Sequence, residues 1–392
     1  MVKKDKNGQE DGFQTINVAT IAVSHFMHDV YTGFLAPALP FLIEKLGISY
    51  GLSGLLHVIQ RIPAIFNPAV GIMAERVKMR YLVIISPTVT GIAMSLLGVA
   101  PGYIFLALLL LVSGISSTVF HVPTPVMVKK ISGNRIGKGM SFYMLGGELA
   151  RTAGPMVILG IISLWGLEGT YKMFPLGILA SIILYFRVRH IEISRDIEKP
   201  DSNWHYWREF LKYLPVFAVT AGITLFLGAM KSSLALYLPT FMHARGESHF
   251  ISEASLSILQ LSGAAGTLVS GSISDKLGRT GTLLIITIVS PFLMLLFLHV
   301  SGPWQILILG IMGLFIFAPT SVLLALIHDQ KSENMAFLNG IFMLLNFFIS
   351  ASLVTIAGFL ADRIGFDKTF NYAAYFSFGA VIVVLLNRKK IG

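Results

Sequence analysis

Apolar residues run along this chain in long blocks, separated by short clusters of charge, glycine and proline. Most blocks reach about 20 residues, the length an α-helix needs to cross the hydrocarbon layer of a bilayer. Read between their punctuation, they predict twelve helical spans, at 15–44, 52–74, 80–99, 103–129, 139–165, 168–188, 213–243, 252–274, 280–300, 303–328, 334–361 and 368–387. The blocks are continuous rather than alternating, which argues against an outer-membrane barrel. The expected fold is an all-α integral membrane protein whose twelve transmembrane helices form two pseudo-symmetric six-helix bundles.

Composition sharpens this picture. Of 392 residues, 54% are hydrophobic and 13% charged, against about 25% charged in soluble domains. A soluble enzyme or cytosolic binding module is excluded, because a water-facing surface needs more charge. There is no cysteine, so disulfides, thiol chemistry and thiolate metal sites are excluded. The opening MVKKDKNGQEDG is polar and no small-residue cleavage site follows, so a cleavable signal is not expected.

The net charge of +10 would suggest nucleic acid in a soluble chain. Here it sorts by loop instead. Twenty-two of the 30 Lys and Arg residues fall in the two tails and the loops on their side, and five on the other side. That asymmetry predicts a multi-pass protein of the inner (cytoplasmic) cell membrane with both termini cytoplasmic. A lipid bilayer and a small molecule are the expected partners, with no nucleic acid, and a monomer is expected. The longest polar break divides the chain into a cytoplasmic N-tail (1–14), a first bundle (15–188), a cytoplasmic linker (189–212), a second bundle (213–387) and a C-tail (388–392). Trp204, Trp207, Phe210 and Tyr213 stand among charges there, predicting an amphipathic segment at the interface.

The two halves repeat at an offset near 200 residues. LPFLIEKLG around Pro40 matches LPTFMHARG around Pro239, and GIMAERVKMR from Gly71 matches GSISDKLGRT from Gly271. VPTPV around Pro123 matches APTSV around Pro319, and SFYML around Met144 matches GIFML around Met343.

The loops after the second and eighth spans resemble the gating motif of the major facilitator superfamily, G-x-x-x-[DE]-[RK]-x-G-[RK]-[RK]. The first copy has Gly71, Glu75, Arg76 and Arg80, with Lys78 where glycine is usual; the second has Gly271, Asp275, Lys276, Gly278 and Arg279. Within that superfamily the chain resembles the fosmidomycin-resistance type of efflux protein. SHFMHDV in the first span, GISSTVFH in the fourth and ISGNRIGKGMSFYMLGGELARTAGP in the fifth carry the likeness. Val122-Pro123-Thr124 after His121 departs from the group, as do Glu148 in place of asparagine and the added Arg151. The resemblance implies a secondary transporter, not an enzyme, with the substrate site between the halves and the loop charges as gates. It implies no cofactor beyond protons as coupling ion.

Charge at membrane depth is costly and points to function. Asp29, Arg61, Glu148, Arg151 and Lys231 sit well inside predicted spans. His25, His28, Asp29 and Thr32 share one helix face, placing Asp29 in proton coupling with His28, alongside Glu148. His25, Arg61, His121, Arg151, Lys231, Gln260, Asn339 and Asn346 are the expected substrate contacts. Glu148 and Arg151, three apart, form either a structural ion pair or a site where an anion takes the arginine and a proton the acid. Asp29 and Lys231 lie on pseudo-symmetric helices and could pair. Three cations against two carboxylates favour an anionic or zwitterionic solute. No metal-ligand spacing, nucleophile elbow or P-loop is present. The leading expectation is proton-coupled efflux, with drug resistance as the implied role. The alternatives are proton-coupled symport of an anion and, more remotely, a non-transporting membrane sensor.

Overall fold

Backbone in hydrocarbon must satisfy its own N–H and C=O groups, and every described element is accordingly a helix. The computed structural model describes residues 12–67, 70, 79–133, 136–190, 203–330 and 335–388. Its α-helices are α1 (Thr15–Thr32), α2 (Leu35–Leu46), α3 (Tyr50–Arg61), α4 (Arg80–Ser95), α5 (Tyr103–His121), α6 (Thr124–Ile131), α7 (Ile136–Trp165) and α8 (Phe174–Val188). They continue as α9 (Asn203–Ala244), α10 (His249–Leu277), α11 (Arg279–His299), α12 (Pro303–Phe317), α13 (Pro319–His328), α14 (Met335–Ser377) and α15 (Gly379–Leu386).

Among the described residues, nine stretches are long and apolar enough to cross a bilayer. The predicted twelve are consistent with this. Part of the second span lies outside the described residues. The eighth, α10, is too polar to qualify. The last two fall together within Ile341–Leu386. They are separate helices all the same, because Gly365 turns the chain at φ 80°, a conformation that glycine alone adopts freely.

Several predicted spans break in the middle. The first breaks at Gly33–Phe34, and the fourth at Val122–Pro123, just after His121. The second tightens into a 3₁₀ turn at Ile62–Phe66, just after Arg61. Proline removes a helical N–H, which explains the last two. From Asn203 onward the predicted amphipathic segment is helical and continues into α9. The side chains of Trp204 and Trp207 lie outside the described residues.

The chain forms two compact units, Met1–Leu46 with Ile59–Glu198, and Gly47–Val58 with Lys199–Gly392. In the first, α1 packs on α7, α8 and α4, and α4 packs on α5 and α8. A Cβ added at Gly146 of α7 would lie 2.3 Å from the Ala22 carbonyl oxygen of α1, so these helices meet backbone to backbone, as small residues allow in membranes. Phe120, Met127, Val128, Tyr143 and Leu184 belong to the core cluster around α1. In the second unit α9 packs on α14, α10 and α15, and α10 on α12. The start of α3 belongs here: Tyr50 N and Gly51 N donate to the two carboxylate oxygens of Asp362, at 2.7 and 2.8 Å. Outer faces stay apolar, with Ile104, Leu164, Phe186, Leu268 and Leu386 exposed, a surface suited to lipid and not to water.

Candidate functional site

Four ionisable side chains meet in the first unit. Asp29 of α1 sits among three imidazoles. His25 Nε2 is 3.1 Å from Oδ2, and His28 Nδ1 and His121 Nε2 are each 3.0 Å from Oδ1. His28 is fully buried, while His121 keeps 35% of its side chain accessible and Asp29 14%. Helix geometry brings His25 alongside Asp29, one turn apart on α1. His121 arrives from the end of α5, where the break at Pro123 stops the helix. Gly147 of α7 makes room, since a Cβ there would lie 2.8 Å from His25 Cε1 and 3.3 Å from Asp29 Oδ2.

The far nitrogen of each ring is also engaged. His25 Nδ1 lies 2.7 Å from the Tyr143 carbonyl oxygen, which only accepts, so Nδ1 carries the hydrogen. His28 Nε2 lies 3.0 Å from Thr90 Oγ1. That hydroxyl donates to Ser116 Oγ at 2.8 Å, and Ser116 donates to the Ser86 carbonyl oxygen at 3.0 Å. Thr90 has then used its hydrogen and accepts from His28 Nε2. His121 Nδ1 lies 3.2 Å from the Tyr143 hydroxyl. Rings fix the orientations: His25 stacks on Tyr143 at 4.0 Å and His28 on Phe120 at 4.4 Å.

A neutral His25 turns a bare Nε2 toward a carboxylate oxygen, and a neutral His28 turns a bare Nδ1 toward the other. Two lone pairs face each other in both contacts. Each becomes a hydrogen bond, and a charge-assisted one, only when a further proton occupies it. His121 can donate from Nε2 while accepting from Tyr143, so it needs none. The cluster therefore has places for one or two added protons. Donor atoms of His25, Asp29 and His121 lie within 4.8 Å of one another and could by type hold a divalent cation. The contacts themselves have hydrogen-bond lengths.

The other sequence-predicted residues fall as follows. Glu148 and Arg151 form an ion pair along α7, with Arg151 exposed and Glu148 half-buried. Arg61, at the end of α3, is exposed and has no ion pair among the described residues. Lys231 of α9 donates to Thr320 Oγ1 at 2.7 Å and lies 4.9 Å from the Phe317 ring centre. Gln260 is half-buried on α10. Asn346 donates to the Phe342 carbonyl oxygen at 2.8 Å, and the Asn339 side chain lies outside the described residues. Of the gating residues, Gly71, Glu75, Arg76 and the Asp275 side chain also lie outside them. Arg80 packs over the Tyr81 ring, at 5.1 Å. Gly271 is half-buried and Lys276 exposed. Arg279 donates to Ser274 Oγ, and at 3.0 Å to Asp329, tying the start of α11 to the end of α13.

Sequence reasoning missed Tyr143, Thr90 and Ser116, which set the histidine tautomers. An aromatic or hydroxyl residue in a helical pattern reads as packing; the Gly146-Gly147 pair beside Tyr143 was the available signal. It also missed Glu253, fully buried on α10.

The family model described as Major Facilitator Superfamily matches residues 21–355. The fosmidomycin resistance protein of Escherichia coli (strain K12) is 22% identical over 386 residues, covering 95% of this chain and 93% of that one. Macrolide efflux protein A of Streptococcus pyogenes is 23% identical, covering 84% and 85%. A bacterial homologue of the human lysosomal transporter Spinster, solved inward-facing and unoccupied, superposes with TM-score 0.82 at 13% identity, covering 97% of this chain and 98% of that one. The nucleoside transporter NupG superposes at 0.75 with 15% identity, covering 96% and 99%. At these identities the structural likenesses show the fold alone. This multi-pass, all-helical chain is a membrane transporter rather than an enzyme, and it belongs to the Major Facilitator Superfamily.

Proposed function

We propose that this protein exports a small anionic or zwitterionic organic solute in exchange for protons, by alternating access. The carrying observation is the Asp29 cluster, in which two hydrogen bonds exist only when protons are added. A site that gains its own bonds on protonation changes packing between α1, α5 and α7 as it loads and unloads. The conformational equilibrium then shifts with proton occupancy, which is how a coupling ion acts. His121, the most accessible of the three imidazoles, is the side from which a proton reaches the cluster.

Arg61 and the Glu148–Arg151 pair supply the solute side. A bound carboxylate or phosphonate takes the arginine, which frees Glu148 to accept a proton. The names of the relatives, which speak of fosmidomycin resistance and macrolide efflux, favour export of a drug-like solute. The distribution of Lys and Arg supports an inner-membrane location with both termini cytoplasmic, and the working unit is a monomer. The exposed Arg61 also favours a second reading, proton symport of an anion.

Proteoliposomes with an imposed pH gradient separate these readings. Fosmidomycin is the first trial solute, within a thermal-shift screen of organic anions, phosphonates and drugs. Antiport predicts solute moving against the proton flow, and loss of that movement in Asp29→Asn. Accumulation together with entering protons establishes symport instead, and an Asp29→Asn variant working at the wild-type rate removes the proton role.

A further inference from the structure

The second unit holds a buried acid that plays no part in the cluster above. Glu253 lies near the start of α10 with 0% exposure, and neither carboxyl oxygen has a hydrogen-bond partner among the described residues. Two hydroxyl oxygens share that condition, Ser257 Oγ one turn further along α10 and Thr240 Oγ1 on α9. The His243 ring of α9 stacks on the His249 ring of α10 at 4.2 Å, which sets the register of the two helices. From that contact Thr240 is three residues along α9 and Glu253 four along α10. At a rise of about 1.5 Å per residue, they lie roughly 4.5 and 6 Å below the imidazole pair. Accessibility falls along the same path: His243 is exposed, His249 half-buried and Glu253 buried.

An ionised carboxylate left without partners in such a place is far costlier than its protonated form. The helix N-terminus favours negative charge, but that effect fades beyond the first turn. The other ionisable groups at this end are engaged or set apart. Arg245 is bound to Asp367 at 2.8 Å and to the Leu298 carbonyl oxygen at 2.7 Å. His299 Nδ1 is 2.7 Å from the Leu295 carbonyl oxygen. Glu247 stands half-buried in the loop between α9 and α10. α12 has no ionisable side chain, and that of α13 is His328 at its far end.

We propose that Glu253 is a second proton-binding site of this transporter, loaded from the end that the charge asymmetry places outside, where the His243–His249 pair stands. It extends the proton-coupled reading above and rests on it. A proton taken from water at that end is bound by a carboxylate oxygen of Glu253. The net change is one proton moved from solvent to the acid.

The test is pH-jump difference infrared spectroscopy on the full chain in liposomes. The expected result is a protonated-carboxyl C=O band present near about pH 5 and lost toward about pH 9. That band is missing from Glu253→Gln and retained, at a shifted frequency, in Glu253→Asp, which keeps an acid should the glutamine variant fail to fold. Difference spectra of Glu253→Gln that match wild type across this range overturn the site, since the acid is then either ionised or permanently protonated. The readout is the proton on Glu253 itself. A chain that titrates Glu253 but moves no protons with solute therefore contradicts the transport reading and leaves this site standing.

Discussion

Asp29 and Glu253 are both acids on helices inside their units, and their surroundings are opposite. Asp29 is met by three imidazoles within 3.1 Å, each held at its far nitrogen by a backbone oxygen or hydroxyl. Glu253 is met by no hydrogen-bonding group among the described residues. The first acid shares protons with bases whose tautomers are set by a second layer of partners. The second holds its proton for want of partners. The set of neighbours, more than burial, decides what a buried acid does.

Substitution at the two sites should separate them. The largest effect is expected at Asp29→Asn: proton-driven flux in proteoliposomes falls by about a hundredfold, near the upper end of coupling free energies. Stability should divide the sites just as clearly. Asp29→Leu leaves the imidazoles facing an apolar group and is expected to destabilise by about 3 kcal/mol or more. Glu253→Leu strands nothing, and its stability should fall within about 1 kcal/mol of wild type or above it. Thermal unfolding in detergent compares the two, and equal losses would erase the distinction.

Next in size is Gly147→Ala. The added methyl meets His25 and Asp29, with an expected loss of about 1–3 kcal/mol. Gly160→Ala, on the same helix with open space around its Cβ, serves as the matched control and should not destabilise. Smallest is Tyr143→Phe, which removes the hydroxyl beside His121 but keeps the ring stacked on His25. About 1 kcal/mol is expected, read out as a change in the pH dependence of transport.

The helical fold was legible because apolar blocks of bilayer length have few other uses, and the repeat and loop motifs pointed to the family. Within the site, the spacing of His25, His28 and Asp29 showed their common face. It could not show that His121 reaches the same carboxylate, because that contact depends on where α5 ends against α1. It placed His25 and His121 among the solute contacts, and the structure brings both imidazoles onto Asp29. Glu253 escaped notice because it stands two residues into its predicted span, where a charge reads as part of a solvated helix end. Its burial comes from the packing of α10 on α9 and α12, which no periodicity encodes. The helix breaks beside Arg61 and His121 were foreshadowed by Pro63 and Pro123.

The central claim is that the Asp29 cluster takes up protons between imidazoles whose tautomers are fixed in opposite senses. Nuclear magnetic resonance of the protein labelled with nitrogen-15 histidine tests it without knowledge of the solute. The account predicts that at high pH His25 carries its hydrogen on Nδ1 and His28 on Nε2. At least one of them should gain its second ring hydrogen when the cluster is loaded by acidification. Reversed tautomers, or ring signals of His25 and His28 that stay constant on acidification, would contradict it.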